Sequence, residues 1–173
     1  MIELILPVSE RDHILGPLDA ALTLLEYGDY ECPHCTAAYP VVNAIREELG
    51  DQLCFAYRHF PLMEIHPDAE PAAEAAEAGG ARGRFWEMHD VLYENSPNLT
   101  GRDLIVYAEE VGVGGDSFVN ELRGHRYFPR IKEDMESGLR SGVKGTPTFF
   151  INGVRHGGGY DLKSLLEALR VAQ

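Results

Sequence analysis

The sequence predicts an α/β protein in which a helical segment separates two sheet-forming parts of the chain, which together are called the frame. A strand–helix–strand pattern occupies residues 22–59, a hairpin signal lies at Asn152-Gly153, and residues 67–142 have helical periodicity throughout. Two parallel strands joined by one crossover helix are the usual unit of such folds. A chain of 173 residues is long enough for one compact domain that carries an insertion.

The first half of the frame consists of three consecutive segments. Leu22 to Tyr27 is a short apolar run, which predicts a buried strand. A helix is expected to begin at Cys32 or Pro33, because proline suits the first helical position, and Gly50 is expected to end it. Leu53 to His59 predicts a second strand, parallel to the first.

The second half of the frame follows the helical segment. Thr148 to Ile151 and Val154 to His156 flank Asn152-Gly153, a dipeptide that favours the positive φ angles of tight hairpin turns. A last helix is expected after Asp161, which is a good N-cap, and its apolar positions extend to Leu169.

The helical segment is predicted to be an insertion between the second and third strands. Four of its stretches have apolar residues at helical spacing, at residues 85–93, 104–111, 116–122 and 131–139. We expect residues 1–64 and 143–173 to form the sheet-containing domain and residues 65–142 to form an all-helical subdomain.

The charge of the chain excludes several classes of partner. With 15 Lys and Arg against 28 Asp and Glu, the formal charge is −13. Nucleic acid and anionic membrane surfaces attract clustered basic residues, so we expect neither as a partner. No apolar stretch approaches the ~20 residues of a membrane span, and no signal peptide is visible. We therefore expect a cytoplasmic protein, or an exported one if a leader has been removed.

Cys32 and Cys35 form a Cys-x-x-Cys pair at the predicted start of the first helix. The thiolate is the nucleophile of disulfide exchange, and the free N–H groups of a helix N-terminus stabilise it. Cys32 is outermost and is expected to meet the substrate, whereas Cys35 lies one turn further in and resolves the mixed disulfide. A protonated His34 beside Cys32 is expected to lower the pKa of that thiol further.

The alternative for this pair is half of a zinc site. Such a site needs two more ligands, and the sequence has no second Cys-x-x-Cys motif or close Cys/His pair. We therefore expect no metal. Cys54 lies among apolar strand residues and is expected to be an inert buried thiol.

Thr146-Pro147 precedes the predicted strand at Thr148. Proline offers no N–H to a sheet, so it belongs at a strand start or edge. A cis Thr146–Pro147 bond would place this loop beside the cysteines and present its backbone to an extended partner. The alternative is that Pro147 only forms a turn at the start of the strand.

The chain resembles the DsbA-like branch of the thioredoxin-fold thiol–disulfide oxidoreductases. The resemblance lies in Cys-Pro-His-Cys at 32–35, Val-Lys-Gly-Thr-Pro-Thr at 143–148 and Phe-Trp-Glu-Met-His at 85–89, and it extends over nearly the whole chain from about Leu18. It implies a thioredoxin fold, in which helices flank a central mixed sheet beneath a helical cap. It also implies a cis-proline at Pro147, with Cys32 as nucleophile and Cys35 as resolving thiol. We expect Pro33, Thr146 and Pro147 to contact the substrate.

Glu26 lies six residues before Cys32, where thioredoxin-like proteins commonly carry a buried acid. Strand alternation places it on the same face as Leu24, beneath the start of the helix. A buried carboxyl with a raised pKa is suited to moving the proton of Cys35 during exchange. The alternative is an exposed glutamate at the end of the strand.

We therefore expect dithiol–disulfide exchange with protein or peptide thiols, and with a redox partner protein or glutathione, without any cofactor. One alternative is a glutathione-dependent transferase or isomerase on the same scaffold, and another is a non-catalytic partner-binding or zinc module. The direction of exchange stays open, because His34 favours an oxidant, while Glu31 beside Cys32 and the absence of a visible export signal oppose it.

Overall fold

The structure, a computed structural model that describes residues 1–173, contains a five-stranded sheet with helices packed against it. The strands are β1 (His13–Leu15), β2 (Leu22–Gly28), β3 (Leu53–His59), β4 (Thr148–Ile151) and β5 (Val154–Arg155). The helices are α1 (Pro33–Leu49), α2 (Ala69–Gly80), α3 (Phe85–Asn95), α4 (Gly101–Glu110), α5 (Asp116–Arg123), α6 (Phe128–Arg140) and α7 (Leu162–Val171).

The sheet is mixed, as the sequence predicts. Its strand order is β1-β3-β2-β4-β5, and β2 and β3 are the parallel pair. The other neighbouring strands are antiparallel. Since β2 is the middle strand, its carboxyl end and the start of α1 lie at the centre of one edge of the sheet.

Strand β1 has no signal in the sequence. This strand has only three residues and pairs antiparallel with β3, with His13 opposite Tyr57. Three residues are too few to show a period-two pattern. Because β1 precedes β2, the three strands predicted from the sequence up to Thr148 are β2, β3 and β4. Helices α2 to α6 lie between β3 and β4, which is the predicted place of the insertion.

Both faces of the sheet are covered by apolar side chains. Leu24 of β2 belongs to a large core that also contains Ile45 of α1 and Met88 of α3, so the frame and the inserted helices share one core. Leu25, which points to the opposite face, packs in a smaller cluster with Phe150. The domain boundaries at residues 64 and 142 stay a prediction.

The cap at Asp161 and the turn at Asn152-Gly153 are present as expected, and α4 has a cap of its own. Thr100 forms a capping box at the start of α4, and the Asp161 side chain accepts a hydrogen bond from the backbone N–H of Ser164 at the start of α7. Asn152 and Gly153 have φ angles of +47° and +81° in the hairpin between β4 and β5. None of the seven helices combines the length and apolar character that crossing a bilayer requires.

Candidate active site

The two cysteines lie where β2 gives way to α1. Cys32 is the N-cap residue of α1, and Pro33 follows at its first position. The Cys32 side chain therefore lies beside N–H groups that have no partner within the helix. Cys32 is 3% exposed and Cys35 is fully buried, so Cys32 is the more accessible thiol, although most of its surface is covered.

The surroundings of the two thiols shift their pKa values in opposite directions. The pKa of Cys32 is lowered to about 5, mainly because the Cys35 side chain hydrogen-bonds to its sulfur. Burial opposes this shift. Hydrogen bonds from the Thr146 side chain and from the backbone N–H groups of Cys35 and His34 lower the pKa further. The pKa of Cys35 is raised well above its usual value by burial first, and then by Cys32 and Glu26. At neutral pH, Cys32 is therefore a thiolate and Cys35 a thiol.

The loop before β4 lies against Cys32. The Thr146–Pro147 peptide bond is cis, as the resemblance implies, and the Thr146 carbonyl oxygen is 3.5 Å from the Cys32 sulfur. The Thr146 hydroxyl oxygen is buried without another partner, so it is free to hydrogen-bond to a thiolate. A cavity of about 400 Å³ lies beside this loop and is lined by Pro147, His156 and Tyr160 among others.

Glu26 is buried on the inner face of β2. It is 2% exposed, and its Oε1 atom has no hydrogen-bond partner. Burial, and secondarily the negative charge of Cys32, raise the pKa of this carboxyl to about 8. The exposed glutamate that the sequence left open as an alternative is therefore wrong. The role of Glu26 in proton transfer stays a prediction.

His34 and Pro33 are exposed at the start of α1. The Nδ1 atom of His34 is 2.7 Å from the hydroxyl oxygen of Tyr160, a residue that sequence reasoning missed. The only local signal is the run of three glycines at residues 157–159, which marks a loop before Tyr160. The backbone N–H of His34 acts on Cys32, whereas the effect of its imidazole and the substrate contact of Pro33 stay predictions.

Asp29 is a second residue that the sequence did not reveal. Its Oδ1 atom accepts hydrogen bonds from the backbone N–H groups of Glu31 and Cys32, at 2.8 and 3.2 Å. Its Oδ2 atom accepts one from the backbone of Leu62 at 2.9 Å and contacts His66 Nδ1 at 2.8 Å. Asp29 therefore joins the turn that carries Cys32 to the loop that leads into α2.

Glu31 has a structural partner of its own. Its Oε2 atom accepts a hydrogen bond from the backbone N–H of Asp68, the N-cap residue of α2, at 2.7 Å. A negative charge is favourable at a helix N-terminus. The carboxylate beside Cys32 is thus held by the first inserted helix.

A group of aromatic hydroxyls lies behind the cysteines. The hydroxyls of Tyr57 and Tyr93 are 2.8 Å apart, and the Tyr30 hydroxyl is 2.9 Å from His89 Nδ1. A Cβ at Gly28 would meet the Tyr57 ring at 2.5 Å, so the ring fits only because residue 28 is glycine. These contacts join α3 to the sheet under the active site.

Two clusters of side chains have the spacing of metal ligands, and neither includes a cysteine. They are His13 with His59 and Glu77, and Glu70 with Glu74 and His125. In the first, the Nε2 atoms of both histidines contact one oxygen of Glu77, at 2.7 and 2.9 Å. The third thiol, Cys54, is fully buried, and burial raises its pKa.

A Cys-x-x-Cys pair at the start of α1, next to a cis-proline loop at the edge of a mixed sheet, defines the site of a thioredoxin-fold protein. A family model described as Thioredoxin matches residues 8–170. The chain therefore belongs to the thioredoxin family.

The relatives found by sequence are much longer proteins. The chain is 46% identical to Na(+)/H(+) antiporter NhaA 1 of Salinispora arenicola, over 99% of this chain and 26% of that protein. It is 44% identical to Na(+)/H(+) antiporter NhaA 3 of Salinispora tropica, with the same coverage. The chain thus spans about a quarter of the length of these relatives.

The similar solved structures confirm the DsbA-like thioredoxin fold. Oxidised BdbD of Bacillus subtilis matches with a TM-score of 0.83 and 21% identity, over 93% of this chain and 92% of that one. A thioredoxin-like oxidoreductase of Silicibacter pomeroyi matches with a TM-score of 0.83 and 23% identity, over 95% and 93%. The thiol-disulfide exchange protein alpha-DsbA2 of Wolbachia pipientis gives 0.78 and 16%, over 95% and 88%.

Proposed function

We propose that this chain is a thiol–disulfide oxidoreductase that exchanges the Cys32–Cys35 dithiol and disulfide with protein or peptide thiols. The observation that carries the proposal is that the pKa values of two neighbouring thiols are shifted in opposite directions. The pKa of Cys32 is lowered to about 5, while burial raises that of Cys35. A nucleophile that is ionised at neutral pH beside a second, protected thiol is what a two-step exchange requires.

In the reducing direction, the Cys32 thiolate attacks one sulfur of a substrate disulfide. A Cys32–substrate disulfide forms, the substrate S–S bond breaks, and the leaving sulfur takes a proton from solvent. Cys35 then loses its proton and attacks the Cys32 sulfur, which forms the Cys32–Cys35 disulfide and releases the second substrate thiol. Two electrons pass from the protein to the substrate. Oxidation of a substrate dithiol follows the same steps in reverse.

Glu26 is proposed to accept the proton of Cys35 in the second step. With a pKa of about 8, this carboxyl is mostly protonated at neutral pH, but the mixed disulfide removes the Cys32 charge that helps to raise that pKa. The carboxylate form that accepts the proton is therefore more populated at this step. Its Oε1 atom is buried without a partner, and its charge acts on Cys35. Cys35 needs such a base because burial holds it in the protonated form.

The substrate is proposed to be an extended segment of a protein or peptide, bound beside the cis-proline loop. The Thr146 backbone and the cavity next to Pro147 offer polar and apolar contacts close to Cys32.

The electrons are proposed to be exchanged with a redox partner protein or glutathione. Placement in the cytoplasm also stays a proposal, which fractionation of cells that express the full-length protein would test.

The test of the function is trapping with single-cysteine variants. We expect Cys32→Ser to abolish exchange with a peptide disulfide, and Cys35→Ser to accumulate a Cys32–peptide disulfide that mass spectrometry detects. The matched control is Cys54→Ser, because Cys54 is buried away from the pair, and it should retain full exchange. A Cys35→Ser variant with unchanged turnover would contradict the proposal and favour a glutathione-dependent transferase, which needs no resolving thiol.

A further inference from the structure

Asp29 creates an electrostatic conflict at the Cys32 site. Asp29 as a whole is 2% exposed, and its Oδ1 atom is 3.2 Å from the Cys32 backbone nitrogen. These hydrogen bonds order the turn that carries Cys32. A buried negative charge, however, disfavours a second anion close by. A compensating positive charge near Asp29 would therefore stabilise the Cys32 thiolate beyond what its hydrogen bonds do.

His66 is in position to supply that charge. Its Nδ1 atom is 2.8 Å from Asp29 Oδ2, the oxygen that does not contact Cys32, and its side chain is 16% exposed. The groups whose charges act on the ring are Asp29 at the end of β2, and Glu31 and Cys32 in the turn before α1. Burial would lower the pKa of His66, but the Asp29 hydrogen bond and these three negative charges raise it.

Resting on the proposed function, we propose that His66 is a positioning residue of the Cys32 site: its imidazolium, held by Asp29, cancels the Asp29 charge and thereby stabilises the Cys32 thiolate. The coupling is reciprocal, so a Cys32 thiolate increases the proton affinity of His66. When a substrate dithiol reduces the disulfide, it gives up two electrons and two protons. Cys35 takes one proton, and the second is shared between His66 and solvent.

The substitution that tests this is His66→Gln, because an amide keeps a hydrogen-bond donor for Asp29 and loses the charge. We expect the Cys32 pKa, followed by the ultraviolet absorbance of the thiolate, to rise by about 0.5–1 unit. The reduction potential should become more negative by about 15–30 mV, which is that shift converted at ~30 mV per ~1.4 kcal/mol. The difference from the wild-type potential should vanish at alkaline pH, where His66 is neutral.

The matched control is His125→Gln, since His125 is an exposed histidine that contacts Glu70 and Glu74 instead. It should leave the Cys32 pKa unchanged. An NMR titration of the wild-type ring gives an independent measurement that needs no variant to fold: His66 should have a higher pKa in the reduced protein than in the oxidised one.

Equal His66 pKa values in the two redox states would overturn the inference, and so would a Cys32 pKa that is unchanged in His66→Gln. Both measurements use only the protein's own thiols. If the protein failed to exchange with any substrate while this coupling was present, the proposed function would be wrong and the inference would stand.

Discussion

The hydroxyl oxygen of Tyr160 lies 2.7 Å from Nδ1 of His34, so a residue just before the last helix holds the ring between the two active-site cysteines. His34 is exposed, and without this contact its side chain would be free to turn into solvent. Tyr160 also lines the cavity beside Pro147. The contact therefore joins the first turn of α1 to the loop before α7.

We expect His34→Ser to raise the Cys32 pKa and to shift the reduction potential to more negative values by tens of millivolts. Serine keeps the backbone N–H that acts on Cys32, so the substitution isolates the effect of the imidazole. The measurements are the pH dependence of thiolate absorbance and equilibration with glutathione.

Tyr160→Phe provides the companion variant, because it keeps His34 and removes only the hydrogen bond. It should shift the potential in the same direction by a smaller amount. If His34→Ser changes neither the pKa nor the potential, the imidazole has no part in setting the redox properties, and the helix N–H groups with Thr146 account for the low pKa.

Glu26 should make the stability of the protein depend on pH. Its pKa is about 8 in the folded protein and 4.5 as the ordinary value, so between these pH values only the folded state binds the proton. The contribution of Glu26 to stability then falls as pH rises from ~4.5 to ~8 and levels off above that range, whereas the lowered pKa of Cys32 acts in the opposite direction in the reduced protein. The total loss is a few kcal/mol, at ~1.4 kcal/mol for each pKa unit.

Glu26→Gln removes this proton, so the variant should gain stability relative to the wild type as pH is raised from 5 to 9. Urea unfolding at the two pH values measures the difference. The control is Glu47→Gln, since Glu47 is exposed on α1 and should follow the wild type at both pH values. A Glu26→Gln profile parallel to that of the wild type would mean that Glu26 is ionised in the folded protein at pH 7.

What the sequence predicts well is what local patterns determine. The start of α1 at Pro33, the hairpin at Asn152-Gly153 and the cap at Asp161 each follow from the conformational preferences of a few adjacent residues. The burial of Glu26 follows from strand alternation. The Cys-x-x-Cys pair was likewise recognisable, because its chemistry lies in one short segment.

What the sequence does not predict depends on contacts between distant segments. His66 contacts Asp29, which is 37 residues away in the sequence, and Tyr160 contacts His34, which is 126 residues away. No periodic pattern indicates which histidine reaches which carboxylate, because that is decided by how β2, α1 and the loop before α2 pack. The short strand β1 was missed for a related reason, since its pairing with β3 defines it better than its own residues do.

Gly28, at the end of β2, has no room for a side chain. A Cβ at this position would lie 2.5 Å from a carbon of the Tyr57 ring and 2.6 Å from its hydroxyl oxygen. The ring is fully buried and its hydroxyl is held by Tyr93 at 2.8 Å, so it cannot move aside freely. Gly28→Ala should therefore cost about 1–3 kcal/mol of unfolding free energy, as overpacking in a core does. Gly101→Ala is the control, because nothing lies within 4 Å of its Cβ position at the start of α4, and it should be neutral or slightly stabilising. Equal unfolding free energies for Gly28→Ala and the wild type, measured by urea unfolding, would show that Tyr57 has room to move.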